Sequence, residues 1–212
     1  MSDGAEVTVT GTRLDGNGPN GAKFEAVDFF DLPATRAFAT RIAEVKFDIL
    51  VNNAGINRIS PFAEIEEESF LRIQQVNVVA PMLLCRSLVP GMAAREWGRI
   101  VNLSSIWGKI SKAQRAPYSA SKFGIDGMTL ALAAEYTSRG VLANCVAPGV
   151  IDTELTRKVL GEEGIRQLCD SIPAKRMGRP EEIAAFVAWL CGPENTYISG
   201  QNIAIDGGFT RV

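Results

Sequence analysis

Between Gly98 and Lys122 the chain reads GRIVNLSSIWGKISKAQRAPYSASK. Arg99 to Leu103 is a strand-length apolar run ending in the hydroxyls of Ser104 and Ser105. Tyr118 opens a helix-period segment that runs to Arg139 and closes on Gly140, a C-cap signal. The next strand, Val141 to Ala147, follows at once. A strand, a helix and a further strand in that order are one unit of a βα repeat, which builds a parallel sheet flanked by helices.

Outward from this unit the alternation continues. Strands are expected at Glu6 to Thr10, Phe24 to Asp28 and Phe47 to Val51, with a glycine- and asparagine-rich loop from Leu14 to Gly21. Phe38, Ile42 and Val45 recur at helical spacing and mark one buried face. From Glu67 to about Ala94 the sequence predicts a long helix, too apolar around its circumference for a surface element and so packed on more than one side. Between Pro148 and Pro180 it predicts a loop with short helical stretches. Pro180 then starts a helix, and Asn202 to Ile205 forms the last strand. At 212 residues without repeats or linkers, one domain spanning 1–212 is expected.

Composition excludes several function classes. Lys plus Arg (22) against Asp plus Glu (24) leaves a net charge of −2, no field for gathering nucleic acid or an anionic membrane. No apolar stretch approaches the roughly 18 residues of a membrane span and no signal-peptide pattern opens the chain, so a cytoplasmic protein is expected. Cys85, Cys145, Cys169 and Cys191 form no CxxC pair and read as free thiols. Histidine is absent, which removes Ser/His/Asp and Cys/His centres and most zinc sites. No metal is expected, and proton chemistry must fall to Tyr, Lys, Asp or Glu.

Tyr118 and Lys122 supply it. Four residues is just over one helical turn, so both project from one face, where an ammonium favours the phenolate and lowers the tyrosine pKa. Tyr118 is thus a candidate general acid/base. A tyrosine and a lysine one turn apart also occur by chance on solvated helices, and the surrounding motifs decide between the two readings. Ser105 lies thirteen residues before Tyr118, DILVNNAG ends the strand at Asp48 to Gly55, Asn77 lies in the long helix, and APGVIDT follows Val146.

This set, in this order, resembles the short-chain dehydrogenase/reductase family, in its 3-oxoacyl-(acyl-carrier-protein)-reductase-like form, from about Ala5 to Val212. The resemblance implies a Rossmann-like doubly wound α/β fold and an NAD(P)-dependent oxidoreductase acting on a small-molecule carbonyl or secondary alcohol. It makes Tyr118 the proton donor, Ser105 a hydrogen-bond donor to the same substrate oxygen, and Lys122 a holder of the nicotinamide ribose. Asn77, breaking its helix locally, would anchor a water. Cofactor contacts would come from Asp28 and Phe29 at the adenine, Asn52, Ala54 and Gly55 beside the ribose, and Pro148, Gly149, Ile151 and Thr153 facing the carboxamide. Thr12 and Arg13 stand where an acid would clamp the ribose hydroxyls of NAD, and their uncharged and basic character points to NADP. Ile106, Trp107, Ile110 and the loop from Glu154 to Met177 would line the substrate pocket. The long helix and the Tyr118 helix resemble the pair that builds the family's dimer interface, implying a homodimer or homotetramer.

One part of the family pattern is expected to be missing. Its first strand, TGxxxGxG turn and first helix belong before Glu6, where only five residues stand. MSDGAEVTVT reads like the end of a helix entering a strand, which leaves open both a real truncation and a start set at an internal methionine. Thr10-Gly11 with Gly16 and Gly18 imitates the turn, but with one residue too many and no apolar helix after it, so a flexible loop is expected there. An N-terminally truncated sheet leaves the strands at Glu6 and Phe47 each with an open edge. Three outcomes are then open: the segment Glu6 to Asp28 shifts into the gap, the N-terminal residues become mobile, or a partner covers the edge. A catalytically silent relative that survives as an oligomerising or binding module is the alternative function.

Overall fold

The computed structural model describes residues 4–14 and 16–211. Four parallel strands, β3 (Ile49–Asn52), β4 (Gly98–Leu103), β5 (Val141–Pro148) and β6 (Asn202–Ile205), form one sheet in the order β3-β4-β5-β6. Two more, β1 (Thr8–Gly11) and β2 (Lys23–Ala26), pair in parallel with each other alone. Parallel strands need crossover connections, and helices provide them: α1 (Leu32–Ala43), α2 (Glu67–Gln74), α3 (Ala80–Ala94), α4 (Ala116–Tyr136), α5 (Glu154–Ser171) and α6 (Pro180–Cys191). The result is a Rossmann-like α/β fold, as the alternation predicts.

Central strands covered on both faces read as unbroken apolar runs. Along β5, VLANCVA is buried at every position. On one face Ile100 and Ala143 meet α3 and α4 through Leu84, Leu88, Met92 and Ala133, with Phe38 and Ile42 of α1 packed outside α3. On the other face Val101 and Val146 meet Leu190 and Cys191 of α6. Local signals set the helix ends. Asp31 caps α1 by accepting from Ala34 N at 2.9 Å, and Gly140, at φ 76°, ends the α4 segment where a Cβ would lie 1.9 Å from Glu96 O.

The structure narrows one expectation that the sequence left open and corrects others. The segment from Glu6 does not shift across to β3: among the described residues no strand pairs with β1 except β2, or with β3 except β4. Ile49 and Val51 on the outer side of β3 are accordingly 36% and 41% exposed. The loop around Gly16 and Gly18 is closely packed, since a Cβ on Gly16 would strike the Phe24 ring at 2.3 Å and one on Gly18 would meet Ala22 O at 2.1 Å. It is followed by a short 3-10 turn, Pro19–Gly21, as the missing apolar helix predicts. The region after Pro148 holds the helical segment α5, which Gly161 (φ 63°, ψ 175°) breaks into two shorter helical pieces, in line with the short helical stretches expected there.

The long helix also differs. It runs from Glu67 to Ala94, and one window in it reaches mean hydropathy 1.4, so the sequence does contain a stretch long and apolar enough to cross a membrane. Of that window 61% is buried inside the protein, which marks a core helix. It is not one regular helix either: residues Gln75–Val79 form a π turn between α2 and α3. Cys85, Cys145 and Cys191 are buried free thiols, with burial pushing them up to about 12, about 12 and about 11.

Candidate active site

In a parallel sheet all C-terminal strand ends lie along one edge, and there ligands bind in open α/β folds. This edge holds Ser105 after β4, Asn52 at the end of β3, Pro148 at the end of β5 and the start of α4 with Tyr118.

The hydroxyls after β4 have separate tasks. Ser104 is buried and donates to Lys122 O at 3.2 Å, and a Cβ on Gly108 would meet Ser104 Oγ at 2.5 Å, so this serine seats the turn against α4. Ser105 caps the 3-10 turn Ile106–Gly108 by accepting from Trp107 N at 3.2 Å. Its hydroxyl also lies against the Tyr118 phenol and favours the phenolate. The thirteen-residue spacing thus singles out the serine that reaches the tyrosine.

Tyr118 is mostly buried. Desolvation holds its pKa above the ordinary value, with Ser105 and the Arg115 guanidinium pulling the other way. The expected depression by Lys122 does not appear. Lys122 is buried, its Nζ donates to Leu103 O at 2.6 Å and sits 5.4 Å from the Tyr118 ring centroid, and desolvation brings its own pKa down to about 8. The charge that acts on the phenol belongs to Arg115, which the sequence reading passed over.

The π turn brings Asn77 into the same neighbourhood. Its Nδ2 donates to Ile56 O at 2.9 Å and to Ser121 Oγ at 3.0 Å, and its Oδ1 accepts from Ile56 N at 2.9 Å. Ser121 in turn donates to Tyr118 O at 2.7 Å. A Cβ on Gly55 would stand 3.5 Å from Asn77 Oδ1 and 3.6 Å from Lys122 Nζ, so loop, helix turn and lysine converge on one small space. Ser105, Tyr118, Lys122 and Asn77 are therefore one cluster.

The other candidate residues are more dispersed. Thr12 and Arg13 follow β1 and are exposed, as is Asp28 after β2, whose Oδ1 accepts from Phe30 N at 2.9 Å. Phe29 packs edge-on to Phe38 at 6.2 Å and belongs to the core. Asn52 is turned into the sheet, donating to Asn102 Oδ1 at 2.7 Å, while Asn102 donates to Thr129 at 2.8 Å. Ala54 and Gly55 are exposed beside it. Pro148 ends β5. Gly149 fits where a Cβ would lie 2.7 Å from Asp206 Cα, Ile151 bridges to Gly178, and Thr153 caps α5 by accepting from Thr156 N at 3.2 Å. Ile106 is buried and cannot line a pocket, whereas Trp107 and Ile110 are half-buried. Two open clefts are lined by none of Ser105, Tyr118, Lys122 and Asn77. One of about 650 Å³ lies along Phe30, Leu71 and Arg72, and one of about 440 Å³ along Asp152, Cys169 and Met177.

These residues suit the two ends of a dinucleotide unequally. The nicotinamide side is crowded with donors and a close-approach glycine, Gly55. On the pyrophosphate side the glycine-rich segment packs closely at Gly11, Gly16 and Gly18 on Phe24 and Ala22, and a short 3-10 turn follows it in place of a helix whose N-terminus could meet a phosphate. No cluster of His, Cys, Asp or Glu among the described residues could hold a metal ion.

Residues 18–210 match the family model described as enoyl-(acyl carrier protein) reductase. This chain is a member of the short-chain dehydrogenase/reductase family. The chain is 41% identical over 165 residues to the 3-oxoacyl-(acyl-carrier-protein) reductase of Vibrio cholerae, covering 78% of this chain and 67% of that protein. It is 37% identical over 161 residues to the acetoacetyl-CoA reductase of Cupriavidus necator, covering 76% and 65%. Among solved structures, a gluconate 5-dehydrogenase from Burkholderia cenocepacia, in complex with NADP and tartrate, superposes with a TM-score of 0.91 at 26% identity, over 100% of this chain and 88% of that one. A putative NAD(P)-dependent gluconate 5-dehydrogenase from Beutenbergia cavernae with bound NADP gives 0.85 at 33% identity, over 91% and 79%. This short-chain dehydrogenase/reductase is thus an oxidoreductase by family.

Proposed function

We propose that the chain reduces a carbonyl, or oxidises the corresponding secondary alcohol, with Tyr118 as general acid/base and a nicotinamide coenzyme, NADP in preference to NAD. The observation that carries this reading is the cluster itself: a half-buried phenol beside a serine hydroxyl, with an ammonium near its ring and an amide tying the neighbouring loop in place. A nicotinamide, when bound at this edge, supplies hydride chemistry. Lys122 and the Gly55 backbone would hold its ribose, and Pro148, Gly149, Ile151 and Thr153 its carboxamide side. Thr12, Arg13 and Asp28 would meet the adenosine, where the exposed guanidinium of Arg13 suits a 2′-phosphate.

The chain's own residues then do two things. Ser105 Oγ donates to the substrate oxygen and stabilises the charge that develops there. Tyr118 Oη gives that oxygen its proton in reduction and removes it in oxidation. The raised phenol pKa keeps the proton donor loaded at neutral pH.

Relatives that carry the same family pattern are named for 3-oxoacyl-carrier-protein and acetoacetyl-CoA reduction, and solved neighbours that hold NADP or NADH support a nicotinamide coenzyme, while the preference for NADP rests on Arg13. Exposed Leu71, Phe123 and Leu130 on α2 and α4 support a homodimer or homotetramer. Equilibrium titration with NADPH and NADH tests the reading, followed by NADPH oxidation with wild type and Tyr118→Phe. Binding and a loss of about 10²–10⁴ in kcat for the variant are expected. No binding of either coenzyme at millimolar concentration sinks it in favour of a silent oligomerising relative, the reading that the closely packed glycine-rich segment favours.

A further inference from the structure

From Trp97 to Ile125 the chain carries no Asp or Glu, yet holds Arg99, Lys109, Lys112, Arg115 and Lys122. Three of these cations have internal work. Arg99 donates to the carbonyls of Gly98, Gly140 and Asn195, Lys109 to Asn202 O at 2.7 Å, and Lys122 to Leu103 O at 2.6 Å. Lys112 and Arg115 have no carboxylate partner among the described residues. Both lie by the indole of Trp107, Lys112 Nζ at 5.2 Å and Arg115 Cζ at 5.8 Å from its centroid. Phe209 braces that indole edge-on at 6.4 Å.

Arg115 is the stronger of the two. It is half-buried, its Nε is sealed from solvent with no partner in the described structure, and it stands three residues before Tyr118 at the N-cap of α4. Burying part of a guanidinium without an anion is costly, and the cost is recovered when a ligand supplies one. A guanidinium presents a planar fork that matches a carboxylate with two parallel hydrogen bonds. A phosphate, which favours several backbone N–H groups at a helix start, is less well served, because Pro117 removes one of them from the first turn of α4. Exposed Lys112 adds attraction at the rim.

We propose that the substrate of this chain carries a carboxylate, an oxo acid in one direction and a hydroxy acid in the other, seated on Arg115 and Lys112 against Trp107 while its carbonyl faces Ser105 and Tyr118. This rests on the acid/base role of Tyr118 given above. Arg115 then determines specificity by discriminating acids from neutral esters and amides of the same shape.

Calorimetric titration of the full chain with 2-oxopentanoate, 4-oxopentanoate, their methyl esters and dihydroxyacetone phosphate tests it. At least one acid is expected to bind about tenfold or more tightly than its ester. Arg115→Gln is expected to erase that difference, and Arg115→Lys to retain part of it. Equal binding of acids and esters by the unmodified chain, no binding of either acid, or tighter binding of the phosphate overturns the assignment, and none of these needs a variant to fold. NADPH oxidation with the same compounds is read separately. Its absence for acids and esters alike counts against the oxidoreductase reading, whereas turnover without an acid preference counts against the carboxylate alone.

Discussion

Asn77 and Ile56 exchange two hydrogen bonds, Asn77 Nδ2 to Ile56 O and Ile56 N to Asn77 Oδ1, both at 2.9 Å. A side-chain amide here does what a neighbouring strand would do, clamping the loop after β3 onto the π turn between α2 and α3. Asn77→Ala removes both bonds and the one to Ser121. It is expected to cost about 2–4 kcal/mol in urea unfolding, more than a surface asparagine. An unchanged unfolding midpoint contradicts the clamp.

Adjacent serines should separate by phenotype. Ser104→Ala loses the bond to Lys122 O and is expected to lower stability by about 1 kcal/mol with little change in turnover. Ser105→Ala is expected to lower kcat by about 10²–10³ with little change in stability. Steady-state kinetics and thermal melts on the same preparations check both.

Lys122 links pH to stability. Its pKa is about 8 in the folded chain against 10.5 as the ordinary value, so between these pH values the unfolded chain binds more protons and this residue's contribution rises with pH. Measured against Lys122→Met, in which the thiol titrations largely cancel, the unmodified chain should gain about 3 kcal/mol between pH 8 and 10.5. A flat difference across that window contradicts the desolvated lysine.

Arg99 is buried at 5% exposure, donates to three backbone carbonyls and lies 4.5 Å from the Trp97 ring centroid. A lysine cannot reproduce that fork. Arg99→Lys is expected to cost about 1–3 kcal/mol by chemical denaturation, although charge is conserved.

Much of this molecule was legible before its coordinates. Strands β4 and β5 announced themselves because a strand buried on both faces carries a near-continuous apolar run, and Asn202 to Ile205, only partly buried, was placed to the residue. The Ser105, Tyr118, Lys122 and Asn77 set was legible through order and spacing. What stayed hidden has physical causes. The extent of the helical pieces of α5 was masked because Gly161, which breaks the segment, and Gly164 interrupt any apolar period. The direction of the Tyr118 shift was misjudged because helical spacing places two residues on one face but says nothing of how dry that face is. Arg115 escaped notice because a lone cation on a loop reads as solvated. The missing acids between Trp97 and Ile125 were the available signal.

Among the described residues the two sheets are joined by packing and by no ladder. Val27, Phe38 and Ile42 rest against Leu84 and Leu88, while β1 pairs with β2 alone and β3 with β4 alone. Stability is not uniform across a structure, and contiguous units can open separately. The residues proposed for the adenosine therefore ride on a separate structural leaf from those proposed to move the proton. Coenzyme grip and acid/base chemistry become heritable in isolation: a lineage, or an engineer, can lose, borrow or rebuild the first leaf without disturbing the second.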